Sequence, residues 1–317
     1  MRVQRIAVAA FIAILLLVVL AVMDRWNASM YAEKIAQIKI PPRAPASGSI
    51  ATIADLPLPT EETLFGEQIP LGNWFIGQQY DREFYYNWNI ASALLLWWQR
   101  SGIYFPMIEA ELHKAGLPDD LKYLAVAESG LTNVKSSANA NGFWQFIPQT
   151  AQRFGLRVDD LIDERLDPEK STHAAIAYFQ YMRTRLPSWP LVAAGYNMGE
   201  DNVATSMQWQ HAESYWDLFV NDETMRYVFR IAAIKELMSH ADRYGLYFDR
   251  LAPWRAPQVR HVTVHGPIAS IADWAVEHGC LYKDIKVLNP WLVGRSIPNG
   301  TFEIALPATD NDRASIK

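Results

Sequence analysis

The sequence predicts a mainly α protein, with a small α+β unit at its C-terminal end and a membrane-spanning helix at its N-terminal end. Three observations carry this. From about Asn73 to Tyr247 apolar residues recur at helical spacing, and no alternating strand pattern interrupts them. Beyond a boundary marked by Pro253, Trp254 and Pro257 the pattern changes to strand, helix, helix, strand. At the other end Arg2 and Arg5 precede the eighteen uncharged apolar residues Ile6 to Met23, which as a helix would span ~27 Å.

Taken in order, residues 1–23 read as a retained anchor rather than a cleaved signal. The exit Asp24-Arg25-Trp26-Asn27-Ala28-Ser29 lacks an Ala-x-Ala-like site, and the leading arginines place the N-terminus in the cytoplasm and the body outside. No cysteine follows the run, which excludes a lipoprotein anchor. Residues 24–72 read as a stalk, since Ile40-Pro41-Pro42-Arg43-Ala44-Pro45-Ala46-Ser47-Gly48-Ser49 has too little apolar surface to bury and keeps a chain extended.

Residues 73–250 form the expected all-α domain. Ile90, Ala91, Leu94, Leu95 and Trp98 share one helical face between Asn87 and Gln99, and Tyr104 to Ala115 is a second candidate helix. Pro118, Asp119 and Asp120 open a helix that Gly130 stops. Asp167-Pro168 pairs an N-cap with a proline at the first helical position, for a helix running to about Thr184. Further helices begin at Pro190 and extend over Met225 to Ser239.

Glu128 is the most informative residue. It continues the stripe of Leu121, Leu124 and Ala125, so its carboxyl faces the apolar side, where ionisation is disfavoured. It also lies in the last turn, against the negative end of the helix dipole. Both effects raise its pKa, as a general acid near neutral pH requires. Gly142-Phe143-Trp144-Gln145-Phe146-Ile147-Pro148 follows, a glycine turn leading to aromatic rings and an amide. The rings suit either a sugar cleft or a core, whereas Gln145 among them needs polar partners. Tyr196 and Asn197 in Gly195-Tyr196-Asn197-Met198-Gly199 offer a hydroxyl and an amide at a helix end. Asp159, Asp160, Asp163 and Glu164 read as a solvated acidic loop, so no second carboxylate stands out as a partner of Glu128.

Composition removes other classes. A net charge of −5 gives no basic surface for nucleic acid. Cys280 is the one cysteine, so no intrachain disulfide forms, and no Cys or His cluster supports a zinc site. His211, His240 and His265 fall in no ligand spacing, and there is no H-E-x-x-H, G-x-S-x-G or P-loop motif. No metal and no cofactor is expected.

Read together, Glu128-Ser129, Gly142 to Ala151, Ala194 to Glu200 and Glu223 to Val228 resemble, in order, the lysozyme-like lytic transglycosylases of family 1, nearest the membrane-bound D type. The resemblance covers about Tyr80 to Tyr247. It implies cleavage of the MurNAc–GlcNAc β-1,4 bond of peptidoglycan with formation of 1,6-anhydro-MurNAc ends, and Glu128 acting alone as acid and then base. It implies that Ser129, Gln145, Tyr196 and Asn197 bind glycan and that Tyr227 stands beside Glu128. It also implies a bacterial inner-membrane protein whose body faces the periplasm and whose partner is the glycan strand. Gly195 replaces the family's usual alanine, and Phe143-Trp144 its usual Leu-Met or Leu-Trp. A muramidase using water, or a wall-binding scaffold without activity, are the alternatives.

Residues 258–308 resemble a LysM module, a binder of GlcNAc-containing glycans, through Asp284-Ile285-Lys286-Val287-Leu288-Asn289-Pro290 and Ile297-Pro298-Asn299-Gly300. The customary Gly-Asp-Thr-Leu opening is replaced by Gly266-Pro267-Ile268-Ala269.

Overall fold

A computed structural model describes residues 55–308. The expected anchor, residues 1–23, and most of the expected stalk lie outside the described residues. Among the described residues no helix is long and apolar enough to cross a membrane.

The expected stalk ends earlier than residue 72. Strands β1 (Glu62–Leu64) and β2 (Glu67–Ile69) form an antiparallel hairpin around Phe65 and Gly66, whose φ angles are 55° and 80°. Both central residues in the left-handed region fit the twist of a two-residue hairpin. Leu64 and Ile69 are buried, and Phe65 N donates to Asp120 Oδ2 at 2.7 Å.

Helix α1 (Trp74–Asn89) is capped by Asn73, whose side chain accepts from Phe75 N and Ile76 N. Ile90 then interrupts the helical conformation before α2 (Ala91–Lys114). The two helices expected over 87–99 and 104–115 are therefore one helix, preceded by another that had not been singled out. Within α2 a Cβ at Gly102 would lie 2.5 Å from Trp254 O. The glycine admits a crossing segment and does not end the helix. Pro106 lies inside the same helix.

Helix α3 (Lys122–Ser129) follows a 3₁₀ turn at Asp119–Leu121. Next come α4 (Pro148–Arg153), α5 (Pro168–Arg183), α6 (Trp189–Met198), α7 (Glu200–Gln210) and α8 (Asp222–Ser239). Asp167 caps α5 as its sequence requires, accepting from Glu169 N and Lys170 N. Helix α8 runs through the centre, packed on α1, α3 and α6, with Val228, Ile231, Ala232 and Leu237 fully buried.

A buried ion cluster ties α1 to α8. The Glu83 side chain has no exposed surface and accepts from Arg226 Nε at 2.6 Å, with Arg230 Nε at 3.5 Å. Removing the carboxylate would leave a hole at a fully buried position and take the shared partner from two guanidinium groups that are 27% and 21% exposed. Glu83→Ala is expected to destabilise the fold by about 1–3 kcal/mol, read from the denaturant midpoint. A loss below ~1 kcal/mol would show that the arginines find water instead.

The C-terminal residues form β3 (Val259–His265), α9 (Ile271–Glu277), α10 (Tyr282–Leu288) and β4 (Thr301–Pro307), the order read from the sequence. The strands pair antiparallel from Val259↔Pro307 to His265↔Thr301. Their core of Val264, Ile271, Ile285, Leu292, Ile304 and Leu306 also takes in Ile162, from the loop before α5.

Candidate active site

Helix α3 delivers Glu128 to the site because its end is abrupt. Gly130 adopts φ 60°, and its N–H closes on Val126 O at 2.8 Å. A Cβ there would lie 2.4 Å from Trp97 Nε1, so glycine is required for space as well as conformation. Leu131, at φ 58°, continues the reversal.

The chain then loops back to a tight turn. Gly142 has φ 80°, and Arg165 O sits where its Cβ would be, at 1.9 Å. Gln145 also takes a left-handed φ of 49°. Its Nε2 donates to Val134 O and Gly142 O, each at 2.8 Å, which are the polar partners its setting demanded. Phe143 and Trp144 belong to the core. Trp144 is fully buried, its Nε1 donating to Thr172 Oγ1 at 3.0 Å, and Phe143 meets the Tyr104 ring edge-on at 4.6 Å.

These elements enclose a cleft of about 370 Å³. Glu128, Gln145, Phe146, Tyr178, Tyr196 and Asn197 line it, with the hydroxyls of Ser136 and Thr150. Protein packs closely around the half-buried Glu128, which opens on the cleft on one side. Burial pushes its pKa up to about 7. The charge of Glu223 adds to the rise, while the Tyr227 hydrogen bond and the Arg230 charge oppose it. Tyr227 OH donates to Glu128 Oε1 at 2.5 Å. Burial, and then the Glu128 charge, hold the phenols of Tyr196 and Tyr227 well above their ordinary pKa, so both remain donors. Tyr196 OH donates to Trp144 O at 2.6 Å. Asn197 Oδ1 accepts from the buried Thr224 Oγ1 at 2.7 Å, which fixes the amide plane.

Of the residues singled out in the sequence, Glu128, Gln145, Tyr196 and Asn197 meet at one cleft, and Tyr227 reaches Glu128 from α8. Ser129 is not among the lining residues. Its Oγ lies 2.9 Å from Phe143 O and 3.1 Å from Ala125 O, joining the helix end to the glycine turn. Tyr178, read as a helix-face residue, and Thr224, inside the 223–228 segment, were not assigned to the site by sequence, since neither carries a local signal of its own. The acidic loop holds no partner for Glu128. Asp163 is buried against Arg165, Asp159 pairs with Arg157 and Glu164 with Lys170. Among the described residues Glu128 is the one carboxylate lining the cleft, and no three His, Cys, Asp or Glu side chains gather as metal ligands would.

Residues 105–219 match the Transglycosylase SLT domain family. Residues 260–310 match the Soluble lytic transglycosylase C-terminal LysM-like domain family. The chain carries an SLT transglycosylase domain. Glu128, Gln145, Tyr196 and Asn197 fall within the first match, and Tyr227 lies just beyond it. The chain is homologous to membrane-bound lytic murein transglycosylase D of Escherichia coli K12, 29% identical over 221 residues that cover 68% of this chain and 48% of that protein. A protein of Alteromonas sp. (strain M-1) named for tributyltin chloride resistance is 31% identical over 106 residues, 33% of this chain and 51% of that one. The chain thus spans about half the length of the curated relatives it matches. A structure of an inactive mutant of lytic transglycosylase Slt from Pseudomonas aeruginosa aligns over 47% of this chain and 25% of that one, with 19% identity and a TM-score of 0.36.

Proposed function

We propose that the protein is a lytic transglycosylase of peptidoglycan, cleaving the MurNAc–GlcNAc β-1,4 bond with Glu128 as its single catalytic carboxyl. One observation carries the reading: a carboxyl with pKa about 7 opens on a cleft that no other described carboxylate lines. Two-carboxylate hydrolysis needs a base or nucleophile across the scissile bond. Here the substrate supplies the nucleophile. Protonated Glu128 donates to the glycosidic oxygen as the C1–O bond breaks and the GlcNAc hydroxyl leaves. The resulting carboxylate takes the proton of the MurNAc C6 hydroxyl, whose oxygen closes on C1. The product is a 1,6-anhydro ring, no water is consumed, and Glu128 ends protonated again.

In this scheme Gln145, Tyr196 and Asn197 hold the sugar against Glu128. Gln145 is oriented by its Nε2 donating to Val134 O and Gly142 O, and Asn197 by its Oδ1 accepting from Thr224 Oγ1; such fixed polar groups in an aromatic-walled cleft suit acetamido and hydroxyl groups. Ser129 would act by holding the 142–145 turn. Tyr227 would set the acid strength of Glu128, because its hydrogen bond favours the carboxylate. We assign residues 1–23 to a single-pass inner-membrane anchor with the body, from the 62–69 hairpin to residue 308, in the periplasm. The Escherichia coli relative is a membrane-bound transglycosylase by name, which supports this.

The pH dependence tests the assignment. Release of anhydro ends from sacculi is expected to fall as pH rises through about 7, where Glu128 loses its proton. Tyr227→Phe removes a bond to the charged form, so the alkaline limb is expected to move to higher pH. An unmoved or lowered limb would remove Tyr227 from this role.

A further inference from the structure

Three sets of bonds connect the C-terminal unit to the wall of the cleft. The first is at the contact itself. Val293 N and Gly294 N both donate to Leu161 O, at 3.0 and 3.1 Å, and Asp163 N donates to Trp291 O at 2.8 Å. Ile162, with no exposed surface, is part of the C-terminal core. Gly294 approaches so closely that a Cβ would lie 2.5 Å from Leu161 Cδ2 and 3.1 Å from its Cα.

The second set lies one residue further in. Asp163 is gripped by the Arg165 fork, Nε to Oδ1 and Nη2 to Oδ2, each at 2.8 Å. Both side chains are almost fully buried, at 4% and 9% exposure. The third set ends in the cleft wall. Arg165 Nη1 donates to Asn139 O at 2.8 Å and to Phe146 O at 3.0 Å. These carbonyls stand at the two ends of the turn that carries Gln145. Asn141 Nδ2 closes the ring on Asp163 Oδ2 at 3.1 Å. A planar, permanently charged fork can hold one carboxylate and two carbonyls at once, which an ammonium cannot.

We infer that Arg165 is a positioning residue for the reaction, and that the 291–294 segment of the C-terminal unit acts on the cleft through it. The C-terminal unit is then part of the scaffold that aims Gln145 and Phe146, whatever glycan it binds on its own account. The catalytic consequence rests on the transglycosylase reading; the mechanical linkage does not.

The test uses the full chain and two readouts. Gly294→Val and the milder Ile162→Ala loosen the contact without touching the cleft, and Arg165→Lys keeps the charge on Asp163 but not the fork. Amide exchange in residues 139–147 is expected to quicken about tenfold or more in all three, with residues 222–239 unchanged. On a soluble glycan too short to reach the C-terminal unit, kcat is expected to fall about tenfold or more, while sacculus binding stays within about twofold. Unchanged exchange in 139–147 for Gly294→Val and Ile162→Ala would overturn the linkage. Full activity of Arg165→Lys would reduce Arg165 to a charge partner of Asp163 and overturn its positioning role. A wild-type chain that released no product would instead overturn the functional reading, and exchange would still decide the linkage.

Discussion

Glu128→Gln is expected to abolish release of anhydro-muropeptides while leaving sacculus binding in place and making the protein more stable at pH 8. Losing the one proton donor and acceptor of the cleft removes at least the ~10²–10⁴-fold that general acid–base catalysis supplies. The amide keeps the shape of the carboxyl and still offers Tyr227 OH an oxygen. The stability effect has a definite sign. The folded pKa is about 7 against an ordinary 4.5, so the folded state holds this proton more tightly than the unfolded one. Wild-type stability must therefore fall as pH rises between those values, by roughly 2–4 kcal/mol for this group. Glutamine lacks that slope. Melting curves at pH 4.5 and pH 8 should show a gain at the higher pH alone. Equal curves at both would mean that the carboxyl is not held neutral by burial, and retained cleavage would remove Glu128 from the mechanism.

Gly142→Ala is expected to cost more than any other single-methyl addition in the site. The position has φ 80°, where a Cβ is strained by about 1 kcal/mol before any neighbour is considered. That Cβ would meet Arg165 O at 1.9 Å and Arg165 C at 2.7 Å, both backbone atoms that cannot swing aside. Relief requires the turn or the Arg165 segment to move, and either movement shifts Gln145 and breaks bonds of the Arg165 fork. A loss of at least ~3 kcal/mol in stability and ~10²-fold in kcat is expected, measured by denaturant unfolding and by product release. Near wild-type values in both would show that the turn relaxes freely and that its glycine is incidental.

How far the site could be read from sequence differs residue by residue. Glu128 was legible because one helical stripe and one stop glycine fix its side and its end. Gln145 was legible because an amide between aromatic residues must find partners, and it finds Val134 O and Gly142 O. Asp167-Pro168 announced a cap that depends on neighbours alone. The Tyr227 contact with Glu128 spans 99 residues, and periodicity is blind to such pairs; the family resemblance supplied it. Asp163 misled for a different reason. In sequence it sits in an acidic loop, yet Arg165, two residues on, turns it into a buried pair that no local pattern distinguishes from a solvated one. The hairpin at 62–69 was hidden because three-residue strands hold too few alternations to register. Its Phe65-Gly66 turn also carries none of the usual Asn-Gly or Asp-Gly signal.

The most direct test of the single-carboxyl mechanism is mass spectrometry of muropeptides released from purified sacculi in ¹⁸O-labelled water. Intramolecular closure predicts 1,6-anhydro-MurNAc ends with no ¹⁸O incorporated, and none released by Glu128→Gln. Reducing MurNAc ends bearing ¹⁸O at C1 would mean that water attacks, and would contradict the account.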